Sequence, residues 1–151
     1  MIPLLRTSTL DAQVVKAASD LEAMRKAWHM FYFDVGSYPN YDRAMANTHL
    51  FTNIPVMQGW SGPYISHAAV TPWRDSNYYY YNQGGCYPDG GIWGGVTVYI
   101  DRNEASLTVA QFLEISSRLN DILDGDGDDT VGIFRRDGTF WLAYQIDDGC
   151  Q

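Results

Sequence analysis

Apolar residues in the first quarter of the chain recur at helical spacing. The steps between them are three and four residues, and the positions are Ala17, Leu21, Met24, Trp28, Phe31 and Val35. This period is typical of a helix with one apolar face. Ser8, Thr9 or Asp11 can cap its start, and Gly36 is expected to end it. The sequence therefore predicts a long helix over about residues 10–35, with a length of about 39 Å.

The following segment, residues 36–77, lacks a periodic pattern and contains scattered Pro, Gly, Asn and aromatic residues. This composition predicts a structured connecting loop with one short helical turn, anchored to the core by its aromatic side chains. Beyond it, Tyr78–Tyr81 and Val96–Ile100 are rich in residues that favour strands. The Gly-rich residues 84–95 are expected to link these strands as an irregular loop.

A second helix is predicted after these strands. Thr108 and Gln111 form a candidate capping box, in which each side chain accepts a hydrogen bond from the backbone N–H of the other residue. Four apolar residues then share one helical face: Phe112, Ile115, Leu119 and Ile122. Gly125 is the expected end of this helix.

The last predicted element is a β-hairpin. The turn dipeptide Asp137-Gly138 lies between two strand-like segments, residues 131–136 and 139–146. Asp-Gly is a strong hairpin signal because both central residues of such a turn need positive φ. Four residues alternate onto one face that would cover a helix: Phe140, Leu142, Tyr144 and Ile146. The whole pattern predicts an α+β fold, in which a long N-terminal helix packs on a C-terminal antiparallel sheet.

Length and composition narrow the class of protein. The chain has 151 residues, of which 46% are hydrophobic and 19% charged, a composition that argues for a folded core. We therefore expect a single domain over residues 1–151, with the sheet region in residues 78–151. The formal net charge of -8 disfavours contact with phosphate backbones, so nucleic acid is not an expected partner.

The two cysteines, Cys86 and Cys150, lack a second Cys or a His at the short spacing of a zinc site. One interpretation is a disulfide, which would tether residue 150 and imply an oxidising compartment. The alternative is a pair of buried free thiols in a cytosolic protein. The sequence contains no run of about 18 apolar residues, and residues 1–6 lack the apolar segment of a signal peptide.

The sharpest local motif is an acidic run, Asp124-Gly-Asp126-Gly-Asp128-Asp129. Alternate carboxylates in a flexible turn can direct several oxygens at one Ca²⁺ ion, which prefers oxygen ligands. This hypothesis names Asp124, Asp126 and Asp128 as ligands, with Asn120 and Asp121 as additional candidates. The run is not an EF-hand loop, because the Gly at the sixth position and the Glu at the twelfth are both absent. The alternative is a solvated acidic turn without a metal.

Motifs for catalysis are missing. The three histidines, His29, His49 and His67, are widely spaced, and neither a nucleophile elbow nor a nucleotide-binding Gly motif occurs in the required context. We therefore expect no enzymatic activity. The 5 Trp, 11 Tyr and 6 Phe residues raise another hypothesis, a module that stacks carbohydrate or other planar ligands on exposed rings. Its candidate contact residues are Tyr79, Tyr87, Trp93 and Trp73.

Several segments, taken in order, suggest a type of filament subunit. They are Ile2-Pro3 ahead of a helix that ends in Tyr38-Pro39, the segment Gly59-Trp60-Ser61-Gly62-Pro63-Tyr64-Ile65, the strand Tyr78–Tyr81, and the acidic residues 124–132. Together they resemble type IV pilins and the pseudopilins of type II secretion systems. The Trp60 segment is similar to the Trp-x-Gly-Pro-Tyr segment of major pseudopilins, and some pseudopilins bind calcium near the acidic region.

The resemblance implies a structural subunit of an extracellular type IV pilus or related filament, with a role in assembly, adhesion or motility. It implies other pilin subunits and the assembly machinery as partners, and an anchor in the inner membrane before assembly. Because a hydrophobic N-terminal helix of that family is not seen, the resemblance also implies a soluble fragment with Met1 as an added start. The segment between Cys86 and Cys150 is more similar to pilins, which favours a pilus subunit over a secretion pseudopilin. A carbohydrate- or ligand-binding adhesin is the further alternative.

Overall fold

A computed structural model describes residues 2–53, 56–67, 70–82, 84–86 and 95–150, leaving out the side chains of residues 2–8 and 41–46. Two helices and five strands follow one another along these residues: α1 (Ile2–Val35), β1 (Tyr41–Ala46), β2 (Tyr79–Asn82), β3 (Val96–Asp101), α2 (Val109–Leu123), β4 (Phe134–Asp137) and β5 (Trp141–Asp147). A single 3-10 turn, Thr48–Leu50, follows β1. The predicted α+β class is confirmed.

The apolar face predicted for α1 is the face that packs on the sheet. Five of its residues are buried: Ala17, Leu21, Met24, Trp28 and Phe31. The predicted start is wrong, because α1 begins at Ile2 and continues through Ser8, Thr9 and Asp11. A capping side chain stabilises a helix start by only about 1 kcal/mol, so it does not stop a helix whose preceding residues can also be helical.

The C-terminal end of α1 is the predicted one. Gly36 adopts φ +83°, and its N–H donates to the Tyr32 carbonyl at 2.8 Å. Glycine reaches this left-handed conformation without the steric cost that a Cβ would add. The chain therefore leaves the helix sharply at residue 36 and turns back towards the sheet.

Strand β1 lies inside the segment for which the sequence predicts a loop. It pairs antiparallel with β2, from Tyr41 opposite Asn82 to Ala46 opposite Tyr79, and the register shifts between its ends. Its sequence, YDRAMA, has no clean alternation of apolar and polar residues, so periodicity does not reveal it. The predicted helical turn in this segment is confirmed at Thr48–Leu50.

The strands form one antiparallel sheet in the order β1-β2-β3-β5-β4. Its central strand β3 pairs with β2 on one side and with β5 on the other. One face carries buried side chains that pack against α1 and include Tyr80, Val98, Ile100, Leu142 and Tyr144. Because β5 follows β4 in sequence but lies between β3 and β4, the last strand fills an interior position.

Helix α2 begins at the predicted capping box. The Thr108 hydroxyl accepts from the Gln111 N–H at 3.2 Å, and the Gln111 side chain accepts from the Thr108 N–H at 2.9 Å. Phe112, Ile115 and Leu119 are buried as predicted, whereas Ile122 is 52% exposed. Leu123 takes its place in the core, because the last turn of α2 meets β4 with that position facing inward.

The hairpin β4–β5 is confirmed, with a longer turn than predicted. Asp137 pairs with Trp141, so three residues form the loop. Leu142, Tyr144 and Ile146 are buried, whereas Phe140 is 47% exposed. The longer turn places Phe140 in the loop and outside the strand, where it lies beneath the Arg102 guanidinium at 5.8 Å from the ring centre.

Candidate functional site

One carboxylate ties the end of α1 to the loop that follows. Asp34 Oδ2 accepts hydrogen bonds from the Ser61 hydroxyl at 2.5 Å and from the Tyr64 hydroxyl at 2.8 Å. The bond from Ser61, followed by the one from Tyr64, lowers the pKa of Asp34. Asp34 therefore fixes the Trp60 segment against the helix end.

Other residues of the Trp60 segment also pack closely against α1 and the turn that contains His49. Trp60 donates from its indole N–H to the His49 carbonyl at 2.7 Å. Gly59 lies so close to α1 that a Cβ at this position would collide with the Asp34 carbonyl. The Tyr64 ring meets Phe31 edge to face at 5.8 Å between ring centres. The segment that resembles the pseudopilin motif is thus a clamp, formed by residues 59–64, on the last turn of α1.

A disulfide joins Cys86 to Cys150, with 4.4 Å between their Cα atoms. The predicted pairing is confirmed. The Asp147 carboxylate accepts from the Gly149 N–H at 2.7 Å, and the Asp148 carboxylate accepts from the Cys150 N–H at 2.9 Å. The chain after β5 is therefore held both by a covalent bond and by two local turns.

The acidic run forms the turn between α2 and β4. Asp124 Oδ2 accepts from the Phe134 N–H at 3.1 Å. Asp126 Oδ1 accepts from the Asn120 side-chain amide and from the Asp128 N–H, both at 3.0 Å. The second carboxylate oxygen of Asp126 and Oδ2 of Asp124 both approach the same side of Gly132, where a Cβ would collide with them. Two of the three predicted calcium ligands therefore converge.

The third predicted ligand, Asp128, points elsewhere. Its Oδ1 accepts from the N–H and the hydroxyl of Thr130, at 2.9 and 2.5 Å. These bonds, the hydroxyl one first, lower the pKa of Asp128. Asp129, the last residue of the run, forms an ion pair with Arg136 at 3.0 Å. Its carboxylate also accepts a hydrogen bond from the Ser116 hydroxyl.

The two additional candidates, Asn120 and Asp121, lie beside this turn. With Asp128 and Asp129 they line a surface hollow of about 180 Å³. Asn120 is 2% exposed, and its Oδ1 has no hydrogen-bond partner within the described residues. In the same ranges, no group of three or more His, Cys, Asp or Glu side chains is already placed to hold a metal ion.

Comparison with known families provides an independent observation. The profile of the family described as type II secretion system (T2SS), protein G, matches residues 5–90. The match covers more than half of the 151 residues and includes α1 from residue 5 onward, the residue 59–64 clamp and β2. The chain belongs to this family. Searches of curated proteins and of solved structures found no significant match.

Members of this pseudopilin family are structural subunits, in agreement with the expectation from the sequence. The three histidines of this family member lie in separate environments in the structure. His29 contacts the Ile146 carbonyl at 3.0 Å, His67 contacts Ser66, and burial lowers the pKa of His49. In the ranges that the structure describes, no helix has the length and apolar character needed to cross a membrane.

The structure describes two of the four aromatic residues proposed for ligand stacking, Trp73 and Tyr79. Trp73 is buried, and its indole N–H donates to the Gln13 side chain at 3.2 Å, so the prediction of an exposed ring is wrong. Tyr79 is half-buried on the sheet face opposite α1, where its ring lies 5.4 Å from that of Tyr99. Tyr87 and Trp93 lie outside the described residues.

Sequence reasoning missed two polar contacts of this pseudopilin. Asp34 is an ordinary charged residue near a helix end, and only the resemblance of the Trp60 segment could have pointed to a partner for it. The sequence does not reveal the ion pair between Asp129 and Arg136. Asp129 belongs to the predicted calcium motif, and Arg136 belongs to a predicted strand. Spacing along the chain does not show contacts between a turn and the strand that follows it.

Proposed function

We propose that this chain is a structural subunit of the filament that a type II secretion system assembles. The observation that supports this function is the family match over residues 5–90. The resemblance of the same region to pseudopilins implies, as partners, further pseudopilin subunits and the secretion machinery. It implies a place in a filament that is anchored at the inner membrane before assembly.

The outward face of α1 has the character that lateral packing of subunits requires. Val15 is 60%, Met30 58% and Phe33 88% exposed, although all three are large apolar residues. They lie on the helix side opposite the stripe that covers the sheet. In the proposed filament, these exposed side chains contact a neighbouring subunit. The clamp at Asp34 keeps the helix end rigid beside that face.

The expected result for gene deletion is the joint loss of the secretion filament and of protein export. Deletion in the source organism is compared with complementation by the intact gene, by electron microscopy of filaments and by assay of secreted proteins. A strain that loses surface pili but secretes normally would instead support the pilus subunit, which the disulfide-bounded segment from Cys86 to Cys150 favours. Retention of both surface filaments and secretion would contradict either structural role.

We also propose that the acidic turn of this subunit binds Ca²⁺. Asp124 and Asp126 already converge, and the buried Asn120 Oδ1 supplies an oxygen without a partner beside them. Asp128 lines the hollow beside Asn120, and its carboxylate must turn from Thr130 to join these ligands. An ion there would relieve the repulsion between the clustered carboxylates, and oxygen ligands are those that Ca²⁺ prefers.

Millimolar Ca²⁺ is expected to raise the melting temperature, because a ligand bound only by the folded state stabilises that state. Calorimetry with Ca²⁺ and with a chelator measures the difference for each variant. In Asp126→Ala the difference should vanish, whereas in Asp137→Asn, which removes one charge at the β4–β5 turn, it should persist. Identical melting curves for the unaltered chain in Ca²⁺ and in chelator would leave only a solvated acidic turn.

A further inference from the structure

A second surface hollow, of about 210 Å³, lies at the C-terminal end of α1. Tyr32, Tyr38 and Asp147 line it, together with the backbone of Gly85 and Gly149 near the disulfide. It is smaller than the several hundred Å³ typical of sites for drug-sized ligands. Its size suits a small molecule or the end of one long side chain.

The electrostatic character of this hollow is negative. Asp147 is the only charged residue that lines it among those the structure describes. One oxygen of its carboxylate accepts from the Gly149 N–H, and the other has no hydrogen-bond partner within the described ranges. The hollow also faces the C-terminal end of a 34-residue helix, where the backbone carbonyls carry partial negative charge.

Two tyrosine rings form the apolar wall of the hollow. Tyr32 and Tyr38 stack with 4.7 Å between ring centres and an interplanar angle of 29°. Burial, and then the negative charge of Asp147, raise the pKa of Tyr38, so its hydroxyl stays protonated. Aromatic rings beside a carboxylate are a common environment for organic cations, because the ring faces and the carboxylate both attract positive charge.

Among the described residues, no Lys or Arg side chain lines the hollow and neutralises Asp147. Arg25 is the cation near Tyr38, but its guanidinium lies over the Tyr144 ring at 5.4 Å from the ring centre and does not line the hollow. Among the other residues that the structure places around the hollow, none is a Lys, Arg or His. Within the described ranges, the negative charge of Asp147 therefore has no cationic side chain beside it in the lining of the hollow.

We propose that this hollow binds an organic cation, an alkylammonium or guanidinium group, through Asp147 and the Tyr32–Tyr38 wall. The cation donates to the available Asp147 oxygen and to the carbonyls at the end of α1, while its carbon atoms contact the rings. A free amine and the Lys or Arg side chain of another copy share this chemistry. The site is separate from the proposed calcium turn and does not depend on the secretion role.

Nuclear magnetic resonance of the isotope-labelled chain tests this site with n-butylammonium and N-propylguanidinium as probes. We expect the amide signals of Ser37, Gly85 and Gly149 to shift in a saturable way, with dissociation constants in the millimolar range. Butanol, which has the same carbon chain without the charge, should leave them in place. Concentrating the protein without a probe distinguishes the two sources, because the same signals move only if another copy supplies the cation.

The matched variants are Asp147→Asn and Asp137→Asn, which change the net charge equally. Asn keeps an acceptor for the Gly149 N–H, so the fold should persist, and melting temperatures verify this. Asp147→Asn should weaken binding of the probe at least about tenfold, as expected for loss of a charge-assisted hydrogen bond, whereas Asp137→Asn should bind normally. Equal shifts with butanol, equal binding by both variants, or no shift with either cation would overturn the proposal.

Discussion

Reduction of the Cys86–Cys150 disulfide is expected to lower the free energy of unfolding by about 4 kcal/mol. The bond spans a sequence separation of 64 residues. A cross-link over a loop of this size reduces the conformational entropy of the unfolded chain, so its removal favours unfolding. Urea denaturation monitored by tryptophan fluorescence, with and without a reductant, measures the change.

The control for this experiment is the double variant Cys86→Ser with Cys150→Ser. It should unfold at the lower urea concentration of the reduced chain, and the reductant should have no further effect on it. If the oxidised chain and the double variant had equal free energies of unfolding, the disulfide would not contribute to stability. Thiol titration of the unreduced, denatured chain should find no free thiol.

Phe31→Ala is expected to lower the free energy of unfolding by about 3–5 kcal/mol, the range typical of a buried aromatic residue replaced by alanine. Phe31 is fully buried, and its ring contacts Trp28 at 5.1 Å and Tyr64 at 5.8 Å between ring centres. The substitution removes these contacts and leaves a cavity between α1 and the clamp. Chemical denaturation measures the difference.

The same helix offers a matched control two residues further on. Phe33 is 88% exposed, so Phe33→Ala removes an identical side chain from the outward face. We expect the free energy of unfolding of this variant to stay within about 0.5 kcal/mol of the unaltered chain. Similar losses for the two variants would mean that the outward face of α1 is covered in the monomer, which would also weaken its proposed role in subunit packing.

The apolar faces of both helices, the end of α1 and the start of α2 could be predicted because their signals are local, whereas the start of α1 could not. The apolar stripe from Ala17 to Phe31 repeats at the period of a helix, and only one side of α1 meets the sheet. The capping box of α2 lies within four residues, so Thr108 and Gln111 are visible together in the sequence. In both cases the physical cause of the structure lies within a few turns of chain.

Features that depend on distant partners were harder to predict. β1 is a strand because the backbone of β2 supplies its hydrogen bonds, and its own residues show no alternation. Ile122 fits the apolar period of α2, but it is exposed and Leu123 is buried in its place. Phe140 was assigned to a strand because a three-residue turn cannot be distinguished from a two-residue turn by the Asp-Gly signal alone.

The candidate sites also include features with local sequence signals and features that depend on contacts between distant residues. The disulfide could be predicted because the chain offers only one pair of cysteines. The acidic run shows which carboxylates are near one another along the chain, but not that Asp128 is held by Thr130 while Asp124 and Asp126 converge. The hollow at Asp147 brings together the end of α1 and the end of β5, which are more than 100 residues apart in sequence.

The interior position of β5 sets the order in which the molecule can become complete during synthesis. A nascent chain that ends at residue 140 has β2 and β3 but leaves one edge of β3 open and β4 without a partner. It also lacks the side chains of Leu142, Tyr144 and Ile146, which close the core over α1. The sheet therefore closes only after β5 has been made, and Cys150 meets Cys86 later still. The sheet and the disulfide can both be completed only after residues 141–150 have been synthesised.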